Sequence, residues 1–134
     1  MGSLIINIDV PDLDVGVSFY TTALGFALRR FLFNRTVAEP SGSAVRLFLL
    51  LQPAGSIAVR CTTVTRNYSD HWTPVHLDIG VEDLDAAVAR AIAAGAVPSG
   101  SVADHVFGRM VGMRDPFGHG FCLIEFNELG YETE

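Results

Sequence analysis

Polar Asn7 and Asp9 alternate with Ile6, Ile8 and Val10 at the start of the chain. That period of two predicts a half-buried strand over residues 4–10. Pro11 ends its pairing, and Asp12 stands where a helix N-cap belongs. Val15, Phe19 and Leu24 follow at helical spacing and Gly25 suits a C-cap, so a helix is expected over residues 13–24. Residues 26–36 read as a second strand, with Arg29, Arg30 and Asn34 among its apolar positions. Residues 39–43, Glu-Pro-Ser-Gly-Ser, read as a turn. Residues 44–51 are expected to form a third strand, whose leucine-rich core implies burial on both faces or a dimer contact. After a turn at 53–56, residues 57–64 are expected to form a fourth.

The same order then restarts. Val10, Asp12, Leu13, Asp14 and Val17 recur 71 residues later as Val81, Asp83, Leu84, Asp85 and Val88, and Gly25 recurs as Gly95. A repeat with a period of about half the chain means two large modules and no solenoid. In the second copy a strand over 75–81 leads to a helix capped by Asp83, with Leu84, Val88, Ala91 and Ile92 along one side. A turn within 97–105, a strand over 107–114, a turn at Asp115-Pro116-Phe117-Gly118 and a strand over 121–126 complete it. The expected fold class is α+β, with two tandem β-α-β-β-β modules forming an open, curled mixed sheet around a cleft. Its parts are module one at about 4–65, a linker at 66–72, module two at 73–127 and a loose acidic tail at 128–134, all within a single domain.

Composition narrows the function classes. A chain of 134 residues with 49% hydrophobic content and positive mean hydropathy can bury one sizeable core. A net charge of −6 speaks against nucleic acid as a partner, because such a partner requires a basic face. The acidic balance is compatible with a cationic small molecule. No apolar run reaches the length of a membrane span, and two cysteines are too few for a secreted disulfide scaffold. A soluble cytoplasmic protein with no membrane partner is expected. No phosphate-binding loop, nucleophile elbow or dinucleotide fingerprint is present.

The repeated V-x-D-L-D opening, the Phe19–Phe26 helix ending and the DPFGHGFCLIEF segment at 115–126 together resemble the vicinal oxygen chelate superfamily. That superfamily includes glyoxalases, extradiol dioxygenases and bleomycin-resistance proteins. The resemblance implies paired modules around a cleft, commonly completed in a homodimer, with a divalent metal held by first-strand and last-strand ligands of each module. Matching positions are Ile5 and His76 on the first strands and Cys122 on the last strand of module two, where a glutamate is usual. In module one the last-strand position falls among Val59, Arg60 and Cys61. His76 alone fits the family pattern.

The expectation is therefore a small-molecule-binding protein without the family's catalytic metal, holding a small, partly aromatic or cationic ligand in a dimer cleft. No cofactor is expected. The alternative is a metal-dependent lyase, isomerase or dioxygenase with altered ligands. His76, Cys61 and Cys122 are its metal candidates, a soft set suited to zinc. His76 and Asp78 lie two apart on one strand face, and Asn7 corresponds to Asp78 in the first module. This His-carboxylate pair is the candidate for acid-base chemistry or for gripping a ligand. Trp72, Phe48 and Phe107 could meet an aromatic ligand and Arg109 an anionic group. Asp12 and Asp83 are read as helix caps and His119 as a turn residue.

Overall fold

The computed structural model describes residues 2–133; Met1 and Glu134, the last residue of the acidic tail, lie outside it. The chain divides into two compact units that meet in sequence between Ser69 and Asp70. Both are α+β, and each is built on an open, mixed sheet.

Unit 1 comprises β1 (Ile5–Val10), α1 (Leu13–Leu24), β2 (Ala27–Leu32), β3 (Val37–Ser41) and β4 (Arg46–Leu51), in the sheet order β1-β4-β3-β2. The β1–β4 pair is parallel and the other two are antiparallel. Asp12 opens α1 by accepting from the Val15 amide at 3.0 Å, and Gly25 ends it in the left-handed conformation at φ 70°. The buried stripe is Leu13, Gly16, Phe19, Tyr20 and Ala23, while Val15 points outward. Gly16 lets the helix approach the sheet closely, since a Cβ there would already touch both Val10 methyls at 3.4 Å. Burying Phe19 and Leu49 contributes about 2–3 kcal/mol each.

Three expectations for this unit are corrected. Residues 26–36 are not one strand: β2 ends at Leu32, and Phe33, Asn34 and Arg35 turn the chain with φ of 53°, 54° and 61° into β3. Glu39, Pro40 and Ser41 belong to β3, where a register shift between Leu28 and Arg30 accommodates Pro40. Residues 57–64 form no strand. They fold back on themselves through the Ile57–Thr65 bridge, and Cys61 at φ 62° interrupts any extended run. Arg66 ties this segment down by donating from Nε to Asp9 at 2.7 Å, and the Tyr68 hydroxyl donates to the Gln52 carbonyl. β4 is therefore the last strand of unit 1.

Unit 2 comprises β5 (Leu77–Gly80), α2 (Leu84–Ala93), β6 (Val97–Pro98), β7 (Ala103–His105), β8 (Gly108–Arg114) and β9 (Gly120–Phe126), in the order β5-β9-β8-β6, with β7 also on β8. Asp83 caps α2 by accepting from the Ala86 amide at 3.1 Å. Leu84, Ala87 and Ala91 pack inward, while Ile92 is 47% exposed and lies outside the stripe. Asp83→Ala or Asp12→Ala should each cost about 1 kcal/mol in urea unfolding. Within the tail, a short 3-10 helix (Gly130–Thr133) places the Tyr131 ring against Phe107 and Phe126. No described helix is long and apolar enough to cross a membrane.

Candidate functional site

Parallel pairing of β5 with β9 sets Asp78 opposite Cys122. Side chains alternate, so Leu77, Ile79, Phe121 and Leu123 take the helix side of the sheet and Asp78 and Cys122 the other. His76 precedes β5, and its Nδ1 lies 3.2 Å from an Asp78 carboxylate oxygen. The Trp72 ring lies over His76, centroids 4.5 Å apart and tilted by 37°. Gly120 provides its seat: a Cβ there would stand 2.1 Å from the Trp72 ring. Trp72, His76, Asp78 and Cys122 thus share one face of unit 2, with roughly half of Trp72 exposed. Burial pushes the Cys122 thiol up, and the charge of Asp78, to which the thiol donates a hydrogen bond, pushes it further.

Beside this face, His71 and His119 bridge two segments, with Nε2 and Nδ1 2.8 Å apart. The expected turn role of His119 agrees with its backbone, because the Asp115 carboxylate accepts from both the Phe117 and His119 amides.

The corresponding face of unit 1 carries Asn7, opposite Phe48 in the parallel β1–β4 register. Because Asn7 is the repeat equivalent of Asp78, Phe48 is the equivalent of Cys122. The segment 59–61 is not the last strand of its unit, so Val59, Arg60 and Cys61 lose that correspondence; Cys61 is an exposed loop residue. Ile5, Asn7, Leu32, Val37, Phe48 and Leu50 line a cavity of about 300 Å³ with Phe33 at its rim.

The two remaining sequence candidates lie elsewhere. Arg109 donates to Asp85 and Glu125, and Glu125 also accepts from the Leu84 amide at 2.7 Å. Arg109 thereby fastens the start of α2 to the sheet, and these hydrogen bonds hold Glu125 below the ordinary carboxylate range. Phe107 stacks on His105 at 4.9 Å and packs near Phe126 and Tyr131.

Sequence reasoning missed Glu39, which is 2% exposed beneath three arginines. Burial raises its carboxyl, but hydrogen bonds and charges from Arg46 and Arg30 outweigh that and hold it low. A lowered pKa contributes stability above the ordinary carboxylate range that is lost as pH falls through the folded value. Glu39→Gln should therefore flatten the acid limb of the melting temperature plotted against pH. An unchanged acid limb would show that Glu39 does not supply it. Gly120 was also missed, since a glycine after a Gly-His pair signals only a turn.

A glyoxalase-like domain model matches residues 5–124. No curated protein sequence matches the chain. Among solved structures, a hypothetical protein from S. aureus superposes with a TM-score of 0.68 at 19% identity, covering 93% of this chain and 97% of the other. An antibiotic binding protein from Streptomyces, TnmS3, gives 0.65 at 20% identity, covering 95% and 98%. A variant of the fosfomycin resistance protein FosX from Listeria monocytogenes, complexed with Mn(II) and a dihydroxypropylphosphonic acid, gives 0.70 at 15%, covering 96% and 92%. With the β-α-β-β-β order of unit 1 and its echo in unit 2, these matches place the chain in the glyoxalase-like domain family of the vicinal oxygen chelate superfamily.

Proposed function

We propose that this protein binds a small, partly aromatic or cationic molecule without a catalytic metal, sequestering it in a cleft completed by a homodimer. One observation carries the reading: the unit 1 positions equivalent to His76 and Cys122 are Ile5 and Phe48. Hydrocarbon cannot donate to a metal, and a zinc or other Lewis-acid centre needs about three protein ligands. Cys122 adds little, because burial and the neighbouring Asp78 push its thiol up and make the thiolate that a metal requires costlier to form. Among the described residues no group of three His, Cys, Asp or Glu side chains converges as a metal site. The donor set does not fit the family's metal.

The ligand's character follows from the unit 2 face. Trp72 and His76 offer ring surface, and Asp78 beside them offers negative charge suited to a cationic group. TnmS3, which has the same fold, is an antibiotic binding protein. Free cysteines at 61 and 122 agree with a reducing, cytoplasmic setting.

Elemental analysis of untagged protein, after incubation with zinc, manganese, nickel and iron and then dialysis, should find far less than one ion per chain. In parallel, 1-methylquinolinium, a planar aromatic cation, should quench the single tryptophan saturably, and Asp78→Asn should weaken it. One tightly held ion per chain would overturn the reading in favour of a metal-dependent lyase, isomerase or dioxygenase built on His76.

A further inference from the structure

All nine cationic side chains are arginines, and five of them precede residue 61: Arg29, Arg30, Arg35, Arg46 and Arg60. Three of them converge on one carboxylate. Glu39 meets Arg30 Nε at 2.8 Å, Arg46 Nε at 3.1 Å and Arg29 Nη1 at 3.6 Å. The carboxylate is almost wholly covered, whereas the three arginine side chains are 45–57% exposed. Three guanidiniums against one carboxylate leave an excess of two positive charges at this spot, in a chain whose net charge is −6. At physiological ionic strength the local excess governs close binding, because distant charges are screened beyond about 8 Å.

These charges adjoin the apolar cavity of unit 1. Arg46 stands over the ring of Phe48 at 5.1 Å, and Phe48 lines the cavity. Glu39 meets Arg30 and Arg46 through Nε, so neither contact uses a terminal NH2 group, and those groups are the natural donors to a carboxylate. At the rim stands Phe33, 75% exposed and held at φ 53°, a left-handed conformation that a bulky residue adopts only under strain. Strain of that kind concentrates at ligand contacts. An apolar hollow with an arginine-rich edge fits a molecule that is apolar at one end and anionic at the other.

We infer that the unit 1 face binds a small amphiphilic acid, with its apolar or aromatic body against Phe48 and Phe33 and its carboxylate on Arg46 and Arg30. This rests on the metal-independent reading, which leaves Ile5 and Phe48 of this cavity free to meet an organic ligand. It assigns to unit 1 a ligand charge opposite to that suited to Asp78 in unit 2.

The test is calorimetric titration of the full chain, treated with a chelator, against 2-naphthoate and its neutral isostere 2-naphthamide. Naphthoate should bind about tenfold or more tightly than the amide, the effect of one charge-assisted contact. Arg46→Gln should abolish that preference, so that naphthoate binds no more tightly than the amide. Because Arg46→Gln also strips Glu39 of a partner, Arg29→Gln is the second variant. Arg29 is the most exposed and most distant of the three, and its loss should weaken naphthoate severalfold with the melting temperature retained. Equal binding of acid and amide would overturn the acid assignment while sparing the metal-independent reading. Naphthoate binding that vanished with chelator and returned with zinc would overturn both. Inorganic phosphate binding as tightly as naphthoate would overturn the amphiphile, leaving a bare anion site.

Discussion

Gly120→Ala is expected to expel Trp72 from the unit 2 face while the protein stays folded. A Cβ at this position would lie 2.1 Å and 2.7 Å from two atoms of the indole ring, closer than atoms can approach. Trp72 is about half exposed, on the segment before β5, so the ring can swing outward. The stability cost should stay within about 1 kcal/mol, as for surface changes of this kind. The loss should fall on recognition: without the ring over His76, affinity for a planar cation should drop about tenfold. Trp72 is the sole tryptophan, so its emission reports the change directly and should shift toward that of water-exposed indole. Gly112→Ala is the matched control. It faces Cys122 across the β8–β9 pair, and its added methyl would meet only Ser99 at an ordinary 3.6 Å. If Gly120→Ala left emission and affinity unchanged, Trp72 would not be seated on β9.

Gly108→Ala is expected to have the largest effect on stability, about 3 kcal/mol or more in urea unfolding. The added Cβ would lie 2.1 Å from the Glu125 carbonyl oxygen and 2.9 Å from the Phe126 Cα, both backbone atoms of β9 that cannot rotate away. The residue also sits at φ 146°, which only glycine adopts freely. Relief requires opening the β8–β9 pair where Gly108 lies opposite Phe126. Glu125, next along β9, accepts from the first turn of α2 and pairs with Arg109, so the opening would also loosen the helix. A loss under about 1 kcal/mol would contradict the tight β8–β9 approach.

Much of the fold was legible because local signals agreed with tertiary ones. Asp12 and Asp83 predicted both helix starts through the chemistry of capping, and each carboxylate accepts the amide expected. The alternation of Ile6, Ile8 and Val10 with Asn7 and Asp9 marked the two faces of β1. The β2–β3 hairpin stayed hidden because its turn uses Phe33, Asn34 and Arg35 rather than glycine. Pro40 and Gly42 then made a strand end look like a turn. Residues 57–64 failed in the opposite sense: Ile57, Val59 and Val64 carry strand propensity, but Arg66 pins the segment into a fold-back loop through Asp9 and Ser56.

The sequence by itself determined the repeat, which lies in the order of residue types along the two halves, and the caps, the faces of the main strands and the pairing of His76 with Asp78, which depend on neighbours a few residues apart. Only the tertiary structure decided that Cys122 faces Asp78, that Phe48 is its counterpart facing Asn7, that Trp72 rests on Gly120 and that three arginines close over Glu39. Strand register sets those partners, and a slip of one residue would send each side chain to the opposite face. Register is chosen by the summed packing of both strands against their helix, so no single stretch of sequence states it.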